Sequence, residues 1–159
     1  LMKILARRLA VLVGTGFYSG YFPIAPGTVG SVVWVVFYAA LVRLGVAWSA
    51  WSTGWLCALA AVFVVGFLAA WHLEQRFGRD NKRIVIDEIW GMMISLALLP
   101  ATPIYVIGGF IAFRFFDIVK PFPGRRAEKI GRGLGVMLDD GVAGVYANIV
   151  LHLAKALLG

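Results

Sequence analysis

Acidic residues are scarce in this chain: residues 1–73 contain none, and all eight Asp and Glu lie between Glu74 and Asp140, against fifteen Lys and Arg. Charged residues make up 14% of the chain and hydrophobic residues 61%, where a soluble domain carries roughly 25% and 45–50%. So little charge excludes an average soluble globule, and so much apolar content excludes disorder. Cys57 is the only cysteine, which excludes a disulfide framework, a multi-cysteine zinc site and an iron–sulfur cluster. After Arg8 the apolar run covers only residues 9–13, too short for the core of a signal peptide. The sequence shows no internal repeat and no low-complexity linker. What remains is a small integral membrane protein, expected as a single domain over residues 1–159.

A helix needs about 20 apolar residues to cross a bilayer. Residues 29–48 qualify, with Arg43 near the end where its side chain can snorkel. Residues 55–73 form the cleanest span, with Trp51, Trp55 and Trp71 at its margins, where interfacial indoles belong. Residues 142–158 form a third, entered directly from Asp139 and Asp140. Residues 89–116 are interrupted by Pro100-Ala101-Thr102-Pro103, and the residue before a proline disfavours helix. Basic clusters at 76–83 and 114–132 flank this stretch. A single span would put one cluster outside, whereas a hairpin keeps both on the cytoplasmic side. Each arm would be about 12 residues, roughly 18 Å of helix, so a full crossing is not required. The expected architecture is an all-α, polytopic membrane bundle with three full spans and a Pro-broken helical hairpin. On this topology thirteen of the fifteen bases and all eight acids gather at the cytoplasmic face, leaving Arg43 and Lys155 outside.

Four segments carry candidate chemistry. Gly14-Thr15-Gly16 and Pro23-Ile24-Ala25-Pro26-Gly27-Thr28-Val29-Gly30-Ser31 form a Gly/Pro-rich loop feeding a helix. Free N–H groups there, with a hydroxyl nearby, suit a phosphate; Thr28 or Ser31 could equally serve as a helix cap. Asp87 and Glu88 stand at the mouth of an apolar helix. A helix dipole accounts for one such acid, not for two beside hydrocarbon, and Gly91 would let another backbone come close. Arg114, Asp117 and Lys120 share one broad helix face, and ionisable groups near membrane depth are functional candidates. Asp139 and Asp140 precede small residues that permit close helix packing.

Asp87, Glu88, Asp117, Asp139 and Asp140 thus come from three segments and are expected at one membrane face. Gathered without partners, they would repel one another. A hard divalent cation such as Mg2+ removes that cost, because it takes oxygen ligands and keeps sites for water or phosphate. Arg114 and Lys120 suit an anionic substrate. Carboxylates, metal and phosphate loop together point to phosphoryl chemistry. Other phosphatase plans are missing: there is no Cys-x5-Arg loop and no Asp-x-Asp-x-Thr motif. His72 sits at a span end and His152 inside the last span, and both read as structural. Metal-activated water is then the expected nucleophile, a phospho-aspartyl intermediate the lesser variant, and the substrate must be amphiphilic.

The segments PIAPGTVGS, IVIDEIWGMMISLALLP, FRFFDIVKPFP and GVMLDDGVAGVYANIVL resemble, in order over most of the chain, the bacterial phosphatidylglycerophosphatase A family. The resemblance implies a Mg2+-dependent, multi-pass inner-membrane phosphatase whose active site faces the cytoplasm. It would convert phosphatidylglycerophosphate to phosphatidylglycerol and inorganic phosphate. The family's motif acids fall on Asp87, Glu88, Asp117, Asp139 and Asp140, as metal and catalytic candidates. Its substrate-binding positions fall on Pro26, Gly27, Thr28, Ser31, Arg114 and Lys120, with Asp80 as a supporting residue. Gly124 departs from it, standing where an apolar residue is expected. The expected partners are the lipid and the bilayer, with no nucleic acid. The main alternative is an ion- or proton-coupled transporter using the carboxylates, against which stand the missing internal repeats. A non-catalytic scaffold would leave the APGTVGS loop without a purpose.

Overall fold

The computed structural model describes residues 2–45, 53–78 and 81–158. Among these residues the chain is all-helical: α1 (Met2–Gly14), α2 (Pro26–Arg43), α3 (Thr53–Phe77), α4 (Ile86–Ser95), α5 (Pro103–Val119), α6 (Gly124–Ala127) and α7 (Leu134–Leu158), with 3-10 turns at Ser19–Tyr21 and Glu128–Ile130. Three helices are long and apolar enough to cross a membrane: Pro26–Arg43, Thr53–Phe77 and Leu134–Leu157. Exposed Val36 and Phe37 on α2, Leu56 and Leu68 on α3, Ile107 and Ile111 on α5, and Ile149 and Leu153 on α7 cover the outside with apolar surface. Such a surface is an aggregation hazard in water and normal in lipid.

The spans differ from the sequence expectation at their ends. α2 begins three residues earlier, at Pro26, because a proline at the first helical position has its φ preset. It stops at Arg43, before Gly45 at φ 75°, and Trp48 and Trp51 lie outside the described residues. α3 runs on to Phe77, where Gly78 at φ 89° ends it. α7 begins at Leu134 rather than 142, following left-handed backbone at Gly131, Arg132 and Gly133. Asp139 and Asp140 therefore lie inside this helix, not before it. α1 is an element that the short apolar run at 9–13 did not reveal; it packs along α3, with Val11 and Val13 against the core.

The hairpin is present with unequal arms, 10 residues in α4 and 17 in α5. Pro103 opens α5, and the turn passes through Leu98 at φ 64°. At about 15 Å by helix rise, α4 is too short to cross a bilayer of about 30 Å. Non-helical backbone at membrane depth must be satisfied by protein. Asn148 of α7 does this, its Nδ2 donating to the carbonyls of Ser95 (3.2 Å) and Ala97 (2.6 Å). His152 Nε2 lies 3.3 Å from the same Ala97 oxygen, the structural use expected of it.

α4 sits at the centre, between α7, α2, α3 and α5. Its buried Met92 and Met93 pack with Phe113, Leu73 and Met137. The α4–α7 crossing depends on missing side chains. A Cβ at Gly91 would stand 2.8 Å from the Asp140 carbonyl, and one at Gly144 would collide with the Gly91 carbonyl. This close approach brings the first turn of α4 beside the Asp139–Asp140 turn of α7.

Candidate active site

Asp87 and Glu88 occupy the first turn of α4, Arg114 and Asp117 the last turns of α5, and Asp139 and Asp140 the second turn of α7. All six, with Lys120, line one cavity of about 400 Å³, and Pro23, Ala25, Pro26 and Gly27 close it from the α2 side. The five carboxylates gathered from three segments thus face a single space. Asp87, Asp139 and Asp140 are buried, and burial of so many like charges demands compensation.

The five divide into two sets. Asp87, Glu88 and Asp140 each present a carboxylate oxygen to a common point, the three lying within 4.8 Å of one another. Asp87 Oδ1, Glu88 Oε2 and Asp140 Oδ2 are buried and have no hydrogen-bond partner. Burial first, eased by hydrogen bonds from Glu88, pushes the Asp87 carboxyl up to about 6. Burial, then the charges of Asp87 and Asp140, hold Glu88 well above the glutamate range. Unsatisfied, converging oxygens of this kind fit a hard, oxygen-seeking divalent cation.

Asp117 and Asp139 have cationic partners instead. Arg114 Nη1 lies 2.8 Å from Asp117 Oδ2, yet without hydrogen-bond alignment, so this nitrogen remains an unused donor. Lys120 Nζ contacts Asp139 Oδ2 at 2.5 Å and Glu128 Oε1 at 3.3 Å. Burial alone would lower the Lys120 ammonium; the hydrogen bond and charge of Asp139, then Glu128, outweigh it and hold the group above its ordinary range. Lys120 reaches this position because it caps α5 in the left-handed region, φ 50° and ψ 68°, a conformation that costs a non-glycine residue about 1–2 kcal/mol. Ala25, the N-cap of α2, is left-handed too. Both strained residues flank the cavity, where such strain tends to concentrate.

The α2 loop contributes unevenly. Pro26 and Gly27 line the cavity, and no side chain caps the helix. A Cβ at Gly27 would run into the Glu88 carboxylate, so only glycine lets this turn lie against the acids. Thr28 is half-buried away from the cavity lining. Ser31 is fully buried and its hydroxyl donates to the Gly27 carbonyl at 3.0 Å. The structure therefore does not bring these two hydroxyls to the cavity. Asp80 lies outside the described residues. Gly124 is buried, and a Cβ there would stand 2.8 Å from Asp139 Oδ1, so the departure from an apolar residue makes room for that carboxylate.

The model of the family "Phosphatidylglycerophosphatase A" matches residues 12–155. The chain belongs to the phosphatidylglycerophosphatase A family. Phosphatidylglycerophosphatase A of Haemophilus influenzae is 38% identical over 144 residues, covering 88% of this chain and 85% of the relative. That of Escherichia coli is 34% identical over 143 residues, covering 89% and 80%. A Bacteroides thetaiotaomicron protein named "Putative phosphatidylinositol-3-phosphatase" is 41% identical over 159 residues, covering 95% and 96%. No solved structure matches the chain. Membership in the phosphatidylglycerophosphatase A family makes this chain a phosphoric monoester hydrolase.

Two features of this phosphatidylglycerophosphatase A family site escaped the sequence. Asn81 and Lys82 line the cavity, and Glu128 shares Lys120 with Asp139. The available signal was the polar Asn81-Lys82-Arg83 turn directly before the apolar run into α4. Glu128 had none, since its pairing arises from the chain reversal between α5 and α7. Lys120→Met should leave Asp139 buried without its partner and destabilise the protein by about 2 kcal/mol, less than for a fully buried pair because Lys120 is partly solvated. The double variant Lys120→Met/Asp139→Leu should recover most of that loss. Thermal unfolding in detergent measures both, and equal destabilisation in the two variants would show that the pair is not coupled.

Proposed function

We propose that this chain is a Mg2+-dependent lipid phosphatase that hydrolyses phosphatidylglycerophosphate to phosphatidylglycerol and inorganic phosphate. It would work at the cytoplasmic face of a bacterial inner membrane, as one domain. The observation that carries this reading is the trio of partnerless buried oxygens on Asp87, Glu88 and Asp140, opening into the same cavity as Arg114 and Lys120. Asp87, Glu88 and Asp140 are the residues that would hold the cation, with Asp117 and Asp139 beside them. Bound there, Mg2+ would balance the carboxylates and polarise the phosphoryl group.

The chain's own residues do the rest. Arg114 donates its unused Nη1–H to a phosphoryl oxygen, and the uncapped N-terminus of α2 at Pro26 and Gly27 faces the same dianion. Thr28 and Ser31 support that turn rather than touch the substrate. Lys120 pairs with Asp139 and adds positive charge where the transition state gathers negative charge. A carboxylate of the cluster accepts a proton from water as its oxygen bonds to phosphorus. The P–O bond to glycerol breaks, and the leaving oxygen takes the proton that the carboxylate accepted. The diacylglycerol chains remain in lipid against the apolar outer surface.

The Bacteroides relative's printed name points to a second lipid phosphomonoester, a phosphorylated inositol headgroup. The same chemistry serves both, and headgroup fit would separate them. The decisive assay supplies purified protein in detergent with each lipid, with and without Mg2+, and follows phosphate release. Metal-dependent release from phosphatidylglycerophosphate, at least tenfold faster than from phosphatidylinositol-3-phosphate, is expected; the reverse preference would move the substrate assignment, and no release from either would remove the enzyme reading of this site. Lys155→Ala should leave the rate within twofold. It is exposed on α7, fifteen residues beyond Asp140, or about 22 Å along the helix.

A further inference from the structure

Arg76, Lys82 and Arg83 belong to no ion pair among the described residues. Positive-inside bias explains which side of the membrane they occupy. It does not explain how they are held. Arg83 lies 5.2 Å from the Tyr21 ring centre and 5.3 Å from that of Phe77, and Arg76 lies 5.2 Å from Phe77. Stacking on ring faces orients a guanidinium without neutralising it. The turn itself is built. Asn81 Nδ2 donates to the Phe77 carbonyl at 3.0 Å, and Asn81 Oδ1 accepts from the Arg83 N–H at 3.1 Å. These residues line a groove of about 700 Å³ that also includes Tyr21 and Phe22.

The groove adjoins the acid cavity, and Pro23, Pro26, Asn81 and Lys82 line both. Yet their charges are opposite. The cavity holds five carboxylates, whereas among the described residues no acidic side chain lines the groove. Beside it, Tyr21, Phe22 and Ile24 are exposed, at 45%, 54% and 74%, as expected of a loop resting in the headgroup layer. An anion in this groove would sit one shared wall away from the reacting phosphate, at lipid-headgroup depth.

We propose that Arg76, Lys82 and Arg83 form a second anion subsite, which takes the phosphodiester of the substrate while its phosphomonoester occupies the acid cavity. The inference rests on the two-phosphate lipid of the proposed function. In that lipid a three-carbon glycerol bridge joins the phosphates, so the second must bind next door to the first. The subsite would select a headgroup carrying both a diester and a monoester over one with a monoester alone, such as phosphatidic acid. Its contribution is binding rather than bond breaking, so it acts on KM.

The test uses full-length protein in nonionic micelles free of other anionic lipid. Arg76→Gln/Arg83→Gln should raise KM for phosphatidylglycerophosphate about tenfold or more, the loss expected for charge-assisted contacts, and leave kcat within twofold. Lys82→Gln should act in the same direction. Dihexanoyl phosphatidylglycerol, which carries the diester alone, should bind the wild type by calorimetric titration and bind the double variant at least tenfold more weakly. An unchanged KM and an unchanged titration in the double variant would overturn the subsite. A KM unchanged without added lipid, together with activation by long-chain phosphatidylglycerol that only the wild type shows, would assign the groove to a neighbouring anionic lipid and overturn the substrate assignment. Absence of turnover in the wild type would instead defeat the functional reading, and the titration would then decide the subsite by itself.

Discussion

Asp140→Asn should lower kcat by about a thousandfold, the scale of losing a central electrostatic element of an active site, while the protein still folds. The substitution is nearly isosteric and removes one of three carboxylates whose oxygens converge within 4.8 Å. Asp117→Asn should also lose most turnover, because it releases Arg114 from the ion pair that positions it. The stability readout has the opposite sign from the activity. Buried Asp87, pushed up to about 6, contributes stability that is present below the ordinary aspartate range and lost as pH rises through about 6. Metal-free protein should therefore unfold at a lower temperature at about pH 7 than at about pH 4.5. Added Mg2+ should remove much of that loss in the wild type and little of it in Asp140→Asn. Differential scanning fluorimetry in detergent measures this, and a Mg2+ response as large in the variant as in the wild type would refute the three-carboxylate metal site.

Gly27→Ala should cut turnover about a hundredfold without unfolding the protein. In an ordinary helix this change stabilises by about 1 kcal/mol. Here the new methyl group would meet the Glu88 carboxylate, with Glu88 Cδ at 2.9 Å and Arg114 Nη1 at 3.5 Å. Either α2 or the carboxylate must shift, and a displacement of about 1 Å in a reacting constellation costs on the order of a hundredfold in rate. Gly108→Ala on α5 is the matched control. Its methyl group would meet only the end of the Leu151 side chain, at 3.1 Å, which can move aside. Comparable activity loss in both variants would mean that helix packing, rather than the site, governs the effect.

Much of the fold was legible because membrane helices announce themselves by local composition. The spans around 29–48, 55–73 and 142–158 each contain the core of a helix, and Pro100 to Pro103 marked the hairpin turn through steric rules that act over one or two residues. The helix ends were less legible. α7 continues eight residues upstream of its apolar run, since helical hydrogen bonding tolerates Asp139 and Asp140 once other elements surround them. α1 escaped notice because its apolar face, interleaved with Arg7 and Arg8, becomes a burial signal only against α3.

The same division holds for the acids. The sequence by itself determined that a chain with eight acidic residues places five in motifs beside apolar helices, where desolvation makes them too costly to be decoration. Only the tertiary structure decided how they group. Asp87, Glu88 and Asp140 converge, Asp117 pairs with Arg114, and Asp139 shares Lys120 with Glu128. That sorting depends on the glycine-mediated crossing of α4 and α7 at Gly91 and Gly144 and on the left-handed turn at Lys120. The physical reason is range. Hydropathy and helix punctuation act between near neighbours in the chain, whereas the distance between two carboxylates on different helices is set by how closely their backbones can pack.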